Sequence, residues 1–352
     1  MFRRVKETNY LLWIQTKIEG QLESLRFHKG VWLQKMVPYY SPILTPNQLP
    51  YLFIHLPKTA GTSVRKALEE QFGWHMVLCD YGVNEGRSSS LIRKKLSISS
   101  VGELREKMKS YRVICGHVGL QKYLMLSGLS RCFTFVRDPL QRSYSAYEHA
   151  RRLQGFQGSL KDYVPRQSNL QSRLLNGLPL ESLAFVGISE RYQESLGLLQ
   201  NQLTGLVLKE FHENINDAKY DEKYQFTEEE ETLLREHNQQ DLALYQKATT
   251  LFEERVEAQR LGVCYQRGGL QVIQPNLIQG WLSGAGLAPR IQALLNENVI
   301  TQSAVSEFRP GLACWGIERD GFVGFSLRNN KIDLTECIIQ LDDPSHRILR
   351  QI

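Results

Sequence analysis

The chain has 352 residues, of which 42% are hydrophobic and 23% are charged, a composition that excludes an intrinsically disordered protein. The 43 Lys and Arg residues and 37 Asp and Glu residues give a net charge of +6, which suits an anionic ligand but does not indicate nucleic-acid binding. No apolar run is long enough to span a membrane and no signal-peptide pattern opens the chain, which favours a cytoplasmic protein.

The six cysteines lie far apart and form no CxxC pair, so their spacing predicts no metal site. Cys115 and Cys132 fall in apolar, strand-like runs, which predicts that both are buried free thiols. We therefore expect a protein that works without a bound metal ion.

Residues 1–49 are predicted to form a helical extension. Apolar side chains recur there at helical spacing, in a segment that is rich in Lys and Arg. They are Leu11, Ile14, Ile18, Leu22 and Leu25. We favour a helix that packs on the main domain; the alternative is a basic amphipathic helix that rests on a membrane surface.

The stretch YLFIHLPKTAGTSVRKALEEQF at residues 51–72 combines an apolar strand (51–55), a tight turn and an amphipathic helix (62–72). The positive end of a helix that follows such a turn is a ready site for a phosphate group. The candidate donors are Lys58, Thr59, Ala60, Gly61, Thr62 and Ser63. The pattern differs from the nucleoside-triphosphate loop GxxxxGK[ST], because its lysine opens the turn. The alternative is an ordinary strand–turn–helix connection with a surface lysine.

Residues 79–110 are polar and contain the run RSSS (87–90) and a basic cluster at 93–95. The default interpretation is a solvated insertion loop. The alternative is a groove that binds an acidic acceptor.

A second buried strand is predicted at 111–115, and Gly116 and His117 follow it directly. A histidine just beyond the carboxyl end of a strand in an α/β sheet lies where ligands usually bind. A lone histidine at such a position is more often structural than catalytic, so this position alone does not assign a role to His117.

A third strand is predicted at 132–136 and runs into RDPLQRSYSAYEHA (137–150). Asp138 and Pro139 mark the start of a helix, since proline is well tolerated in the first helical turn. Arg137 lies at the end of the strand, and Ser145 lies about two helical turns further on. The alternative is a helix cap with surface arginines.

Several of these segments together resemble the PAPS-dependent sulfotransferases, and most closely the carbohydrate branch that includes the heparan sulfate 2-O-sulfotransferases. The resemblance covers residues 50–260. Its strings are LPKTAGTS (56–63), GHV (116–118), RDPxxRxxSxY (137–147), NLQSRLL (169–175), VGISERYQESLGLL (186–199) and DLALYQKATTLFEERV (241–256).

The resemblance implies a role for each main segment. The loop from Lys58 to Ser63 would bind the 5′-phosphosulfate of PAPS (3′-phosphoadenosine 5′-phosphosulfate), and Arg137 and Ser145 would bind its 3′-phosphate. His117 would act as the general base and Lys58 would stabilise the leaving phosphate. The resemblance gives no role to Asn169, Gln171 or Arg173. Relatives in the animal Golgi carry membrane anchors, so a Golgi location is not expected here.

A fourth strand is predicted at 185–188, and a capping box at 227–230 predicts the start of one long helix that ends near Arg260. From residue 262 onward, glycines separate short β-rich runs, which predicts a small β-sandwich. That region is interpreted either as a glycan-binding accessory module or as a structural domain without a ligand.

The predicted protein has an N-terminal helical extension (1–49), a P-loop-like α/β sulfotransferase domain with a central parallel sheet (50–261) and a C-terminal β-rich domain (262–352). The predicted reaction transfers a sulfuryl group from PAPS to an acceptor hydroxyl, on a carbohydrate by resemblance, without a metal or a nucleic acid. Two other functions stay open: an ATP-using, kinase-like transferase, and a non-catalytic glycan-binding protein on a degenerate sulfotransferase scaffold.

Overall fold

The computed structural model describes residues 49–93, 106–203, 205–209, 223–263, 265–283 and 289–342. The predicted N-terminal extension therefore lies outside the described residues except for Leu49. Two of the three residues of the basic cluster at 93–95 lie outside them as well.

A five-stranded parallel sheet forms the centre of the α/β part. Its strands are β1 (Tyr51–Ile54), β2 (Val77–Asp80), β3 (Val113–Gly116), β4 (Cys132–Val136) and β5 (Phe185–Ile188). Their order across the sheet is β2-β3-β1-β4-β5. Every residue of the five strands is buried, because a parallel sheet is covered on both faces and its strands are continuously apolar. The predicted strands at β1, β3, β4 and β5 are confirmed.

Strand β2 corrects the interpretation of residues 79–110 as a solvated insertion loop throughout. Cys79 and Asp80 are the last two residues of this buried edge strand, which pairs with β3. The short run VLCD was not recognised as a strand in the sequence because polar residues follow it directly.

Ten α-helices lie wholly within the described residues. They are α1 (Gly61–Phe72), α2 (Ser90–Arg93), α3 (Gln121–Ser127), α4 (Pro139–Gln154), α5 (Leu160–Tyr163), α6 (Leu170–Leu175), α7 (Tyr192–Gln202), α8 (Glu228–His237), α9 (Gln239–Arg260) and α10 (Pro310–Ala313).

The strand order places a topological switch point between β1 and β4. From β1 the chain crosses to β2 on one side of the sheet, whereas from β4 it crosses to β5 on the other side. Helices α1 and α4, which follow β1 and β4, therefore begin next to each other and lead in opposite directions. Open parallel sheets bind ligands at such a point, outside the carboxyl ends of the strands.

The prediction of one long helix from 228 to about 260 is wrong, because the helix is broken at Asn238. The capping box is present: Thr227 Oγ1 accepts the amide of Glu230, whose carboxylate accepts the amide of Thr227. The break follows from Asn238 itself, whose φ of −125° is non-helical. Its buried side-chain amide donates to the Leu234 carbonyl (2.8 Å), which replaces a backbone bond.

Two three-stranded antiparallel sheets make up the C-terminal β region, as predicted. Their strands are β6 (Gly268–Gln274), β7 (Leu277–Leu282), β8 (Arg290–Leu295), β9 (Asn298–Ala304), β10 (Gly324–Arg328) and β11 (Ile338–Leu341), in the orders β10-β7-β6 and β11-β8-β9. Side chains of both sheets, such as Phe325 and Ile291, share one apolar core. The fold-class prediction, an α/β protein with a central parallel sheet and a small C-terminal β region, is confirmed.

The β region packs directly on the α/β part. The Leu129 amide donates to the Trp315 carbonyl (2.8 Å), and the Arg267 guanidinium donates to the Ser182 carbonyl (2.6 Å). Ile317 belongs to the core that surrounds the parallel sheet. The domain boundary at 261/262 stays a prediction.

None of the helices in the described residues combines the length and the apolar character that a membrane crossing requires. Cys115 and Cys132 are buried free thiols, as predicted.

Candidate active site at the carboxyl edge of the parallel sheet

The five parallel strands end at one edge and bring distant segments together there. Directly beyond their ends stand, in spatial order, Tyr81, His117, His55, Arg137 and the Ser189–Glu190 pair. The loop that contains Lys58 follows His55. The predicted phosphate loop, the predicted base and the predicted phosphate-binding arginine therefore lie at the ends of three adjacent strands, β1, β3 and β4.

The loop before α1 has an unusual backbone. Lys58 (φ 68°) and Ala60 (φ 60°) are both left-handed, a conformation that costs a non-glycine residue about 1–2 kcal/mol. The buried Thr59 hydroxyl donates to the Leu56 carbonyl (2.9 Å) and closes the turn. Non-glycine residues are held in such conformations chiefly at functional sites, which supports a binding role for this loop.

The amides of this loop are available to a ligand. Those of Thr59, Ala60, Gly61 and Thr62 donate to no atom of the described residues, whereas those of Ser63 and Val64 donate to the Ala60 carbonyl. Successive unpartnered amides at a helix N-terminus form an anion-binding concavity. The Thr59 hydroxyl is used inside the loop, so Thr59 offers its amide and not its hydroxyl.

Gly61 is required because the His55 ring lies against it. A Cβ atom at Gly61 would stand 1.9 Å from Cδ2 and 2.2 Å from Nε2 of His55, far inside van der Waals contact. His55 is itself buried, so its ring has little room to move away.

We expect Gly61→Ala to lower the free energy of unfolding by about 1–3 kcal/mol, the usual cost of overpacking. The matched control is Gly197→Ala in the interior of α7, where a Cβ would meet nothing within 4 Å. Alanine there should be neutral or stabilise the helix by up to about 1 kcal/mol. Urea unfolding of both variants measures the difference, and equal stabilities would contradict the contact between Gly61 and His55.

Lys58 adds a positive charge that no described carboxylate balances. Its ammonium group forms no ion pair or hydrogen bond with the described residues. Burial, and then the nearby charges of Arg137 and Arg152, lower the pKa of Lys58. Burial is also the largest cause of the lowered pKa of His149, followed by Lys58 and Arg152. Several cationic side chains therefore lie near this loop, which favours the binding of an anion.

The acidic residues at this edge are used elsewhere. The Asp80 carboxylate, at the end of β2, accepts from Lys122 Nζ (2.5 Å) and the Tyr123 hydroxyl (2.6 Å). The Glu190 carboxylate accepts from the Asp138 amide (2.9 Å) and the Tyr245 hydroxyl (3.2 Å). Neither carboxylate neutralises Lys58.

Arg137 connects the two segments that are predicted to bind phosphate. Its guanidinium donates to the Lys58 carbonyl (3.3 Å) and lies 3.9 Å from the Glu190 carboxylate. The helix begins where it was predicted to begin: Asp138 accepts the amides of Leu140 and Gln141, and Pro139 opens α4. Ser145 lies on the same helix and is largely buried. The structure thus brings Arg137 to the phosphate loop, but shows no contact between Arg137 and Ser145.

The segment NLQSRLL holds Arg137 in place. The Gln171 side chain accepts from the Arg137 amide (3.0 Å) and donates to its carbonyl (2.9 Å). Gln171 is in turn fixed by Asp241, whose carboxylate accepts the amides of Gln171 (3.0 Å) and Ser172 (2.7 Å). Asn169 accepts the amides of Gln240 and Asp241. Asp241 opens the string DLALYQKATTLFEERV, but the sequence gave no sign that it contacts Gln171, which lies 70 residues away.

Arg142 points into the protein and not into the site. It is fully buried, and its guanidinium donates to Ser143 Oγ (2.7 Å) and to the Gln167 carbonyl (3.2 Å). Burial lowers its pKa to about 10. Arg142 is therefore a buried residue of α4, and Arg137 is the arginine of this motif that a ligand can reach.

His117 is half-buried and contacts two other aromatic rings. Its ring centroid lies 4.6 Å from that of His55 and 4.8 Å from that of Tyr81, both in edge-to-face geometry. Burial, and then the positive charge of Arg87, lower the pKa of His117 to about 4. His117 is therefore neutral at pH 7 and has a free lone pair that can accept a proton.

Two members of this aromatic cluster were missed by the sequence analysis. His55 follows β1 just as His117 follows β3, so the same strand-end argument would have found it. Tyr81 follows β2, the strand that was not predicted. Glu190, just beyond the end of β5, lies in the string VGISERYQESLGLL, in which the sequence analysis gave no residue a role.

A cavity of about 460 Å³ lies beside the start of α4, and Asp138 and Glu190 contribute to its wall. The other residues that line it are Leu140, Gln141, Lys223, Tyr224, Gln225, Phe226, Glu231 and Tyr245. Three carboxylates in this wall make it unsuitable for a phosphate group, which is better accommodated by the loop at Lys58. The described residues hold no group of three or more His, Cys, Asp and Glu side chains that could bind a metal ion.

No family model and no curated protein matches the chain. Among solved structures, the chain is similar to a sulfotransferase from Alicyclobacillus acidocaldarius, with 13% identical residues and a TM-score of 0.33. The match covers 58% of this chain and 96% of that chain. Because the identity and the TM-score are so low, the function of this chain has to be argued from its own site.

Proposed function

We propose that the chain is a sulfotransferase that uses PAPS and an acceptor hydroxyl group, and that the acceptor is a carbohydrate. The observation that carries this proposal is the hydrogen bond from the Arg137 guanidinium to the Lys58 carbonyl (3.3 Å). This hydrogen bond connects a loop that can bind one phosphate group with an arginine that can bind a second phosphate group. A nucleotide with anionic groups at two separate positions fits this pair better than a simple phosphate does.

The residues at the site fit PAPS in charge and in hydrogen-bonding capacity. The amides of residues 59–62 and the ammonium of Lys58, which have no partner among the described residues, would hold the 5′ anionic group. Arg137, with 28% of its side chain exposed, and Ser145 would hold the 3′-phosphate. Arginine suits this task because its planar fork can donate two hydrogen bonds to one phosphate.

His117 would accept the proton of the acceptor hydroxyl, which is a poor nucleophile until that proton is removed. Positioned acid–base catalysis of this kind contributes roughly 10²–10⁴-fold. Lys58 and the loop amides would stabilise the negative charge that develops on the leaving side. PAPS, when bound, supplies the sulfuryl group, and the products are a sulfate ester and adenosine 3′,5′-bisphosphate.

Calorimetric titration with adenosine 3′,5′-bisphosphate tests the proposed nucleotide. We expect this ligand to bind at least about 10-fold more tightly than AMP or ATP, because only it places a phosphate at Arg137. A preference for ATP would support a kinase-like transferase instead. Tight binding of the bisphosphate without sulfation of any hydroxyl acceptor would support the non-catalytic, glycan-binding alternative.

Arg137→Ala should remove most of this preference. The loss of a charge-assisted hydrogen bond costs about 1.5–3 kcal/mol, which corresponds to roughly 10- to 150-fold weaker binding of the bisphosphate. The affinity for AMP should change much less. The control is Arg260→Ala, which removes an exposed arginine from the last turn of α9. If calorimetry shows an unchanged ratio of the two affinities in Arg137→Ala, Arg137 does not bind the 3′-phosphate.

A further inference from the structure

His55 and Tyr81 form a buried hydrogen-bonded pair behind His117. The His55 Nδ1 atom lies 2.8 Å from the Tyr81 hydroxyl oxygen, and the two rings meet edge to face at 5.6 Å. His55 is 5% exposed and Tyr81 is 9% exposed. The mechanism above uses neither side chain, although both stand at strand ends beside the proposed base.

The His55 ring contacts both halves of the proposed site. One side of it lies against Gly61, the first residue of α1, whose amide belongs to the phosphate loop. Its centroid also lies 4.6 Å from that of His117. Phe53 stacks on the ring from behind, with centroids 5.6 Å apart and planes 12° apart. A shift of His55 would therefore move the loop and the base together.

The hydrogen bond fixes which His55 nitrogen carries the proton. Burial raises the pKa of Tyr81, so the hydroxyl keeps its proton. Among the described residues, His55 Nδ1 is the only hydrogen-bond partner of that hydroxyl. The Tyr81 hydroxyl therefore donates its proton to Nδ1, which accepts with its lone pair. Neutral His55 is then protonated at Nε2.

His55 stays neutral at pH 7 chiefly because it is buried. Burial is the largest cause of its lowered pKa, followed by the charges of His117, Arg65 on α1 and Arg87 in the segment after β2. Carboxylates offset part of the two arginine charges, since Glu69 pairs with Arg65 and the Glu85 carboxylate lies 3.7 Å from the Arg87 guanidinium.

We propose that His55, locked by Tyr81, is a positioning residue that orients the His117 ring for proton acceptance. This role rests on the proposed sulfotransferase function. His55 acts through ring contact and does not touch the acceptor. The Tyr81 ring also contacts His117, but its hydroxyl acts through His55, because it holds the His55 ring in one rotational state and one tautomer.

The test is the Tyr81→Phe variant, which removes one hydroxyl and keeps the ring contacts. Without this hydrogen bond the His55 ring can exchange tautomers and rotate, which misaligns His117. We expect kcat for sulfation to fall about 10-fold or more, because the rate enhancement by a general base depends on its alignment with the acceptor hydroxyl. The KM for the acceptor and the Kd for adenosine 3′,5′-bisphosphate should stay within about twofold of the wild-type values, because the phosphate-binding groups are untouched.

The control is Tyr111→Phe, which removes the hydroxyl of a half-buried tyrosine just before β3, at the opposite edge of the sheet. A merely structural effect would change both variants alike. A second measurement is independent of turnover: nitrogen NMR of the histidine rings should show His55 protonated at Nε2 in the wild type and a mixture of tautomers in Tyr81→Phe.

The possible outcomes separate this role from the function on which it rests. An active wild type whose Tyr81→Phe variant keeps its kcat overturns the positioning role alone. Protonation of His55 at Nδ1 in the wild type also overturns it. A wild type that sulfates no acceptor overturns the proposed function and the positioning role with it, even when the NMR spectra show the expected tautomer.

Discussion

Replacing Lys58 with methionine should lower kcat for sulfation by about 10³-fold or more. Methionine keeps most of the apolar stem and removes the charge. Loss of a single donor to a developing anion costs about 10²–10³-fold, and a full charge in a site of low polarity contributes at least as much. The unpaired ammonium has no other described partner that could explain its place beside the loop amides.

The same variant should not destabilise the fold. Burial, Arg137 and Arg152 lower the pKa of Lys58, so folding disfavours its charged form. A lysine with a lowered pKa binds its proton more weakly in the folded state than in the unfolded state. The charged Lys58 therefore lowers the free energy of unfolding at neutral pH. This loss disappears only when the pH rises to the range in which Lys58 loses its proton.

Thermal melting and turnover of Lys58→Met measure both effects at pH 7. The expected result is a Tm equal to or above the wild-type value together with the loss of kcat. Lys161→Met, on the exposed surface of α5, is the matched control and should change neither quantity. A variant that retains normal turnover would show that Lys58 does not stabilise the leaving group.

Replacing His117 with alanine should lower kcat by about 10²–10⁴-fold and leave the affinity for adenosine 3′,5′-bisphosphate unchanged. The reason is that His117 would act only on the acceptor proton, whereas the nucleotide would be held by the loop and Arg137. Calorimetry and steady-state kinetics on one preparation measure the two quantities. His75→Asn, an exposed histidine at the opposite edge of the sheet, serves as the control.

The pH dependence of the wild type identifies His117 further. A base must be unprotonated to work, so kcat/KM should fall as the pH drops through about 4, the pKa of His117 in the free protein. Bound nucleotide adds negative charge, which favours the protonated form and raises this pKa. The acid limb of kcat should therefore lie at a higher pH than the acid limb of kcat/KM. Normal kcat in His117→Ala, or an acid limb unchanged by the variant, would rule out His117 as the base.

The proposed acceptor is a hydroxyl group of a carbohydrate. A carbohydrate is favoured by the resemblance of the motifs to the carbohydrate branch, and an accessory role in glycan binding stays a prediction for the C-terminal β region. Its two sheets share a core and pack on the α/β part through Leu129, Ser182 and their partners. A structural domain without a ligand would pack in the same way.

The sequence by itself determined those features that depend on near neighbours in the chain. The buried strands at β1, β3, β4 and β5 follow from apolar runs, and the caps at Asp138 and Thr227 follow from hydrogen bonds that span two or three residues. The loop before α1 and Arg137 were both recognised because each motif is continuous along the chain. Asn238 shows where prediction from near neighbours fails. The local pattern predicted one helix from the capping box to about Arg260, but the buried Asn238 side chain breaks it.

Only the tertiary structure decided which of these segments meet. Strand order, set by how the helices cover the sheet, places β3 and β4 on either side of β1 and so brings His117 and Arg137 to the same loop. The side chain that holds Arg137 comes from Gln171, 34 residues away. The hydroxyl that holds His55 comes from Tyr81, 26 residues away and directly after a strand that was not predicted. Contacts of this kind depend on packing between elements, which no local pattern of residues encodes.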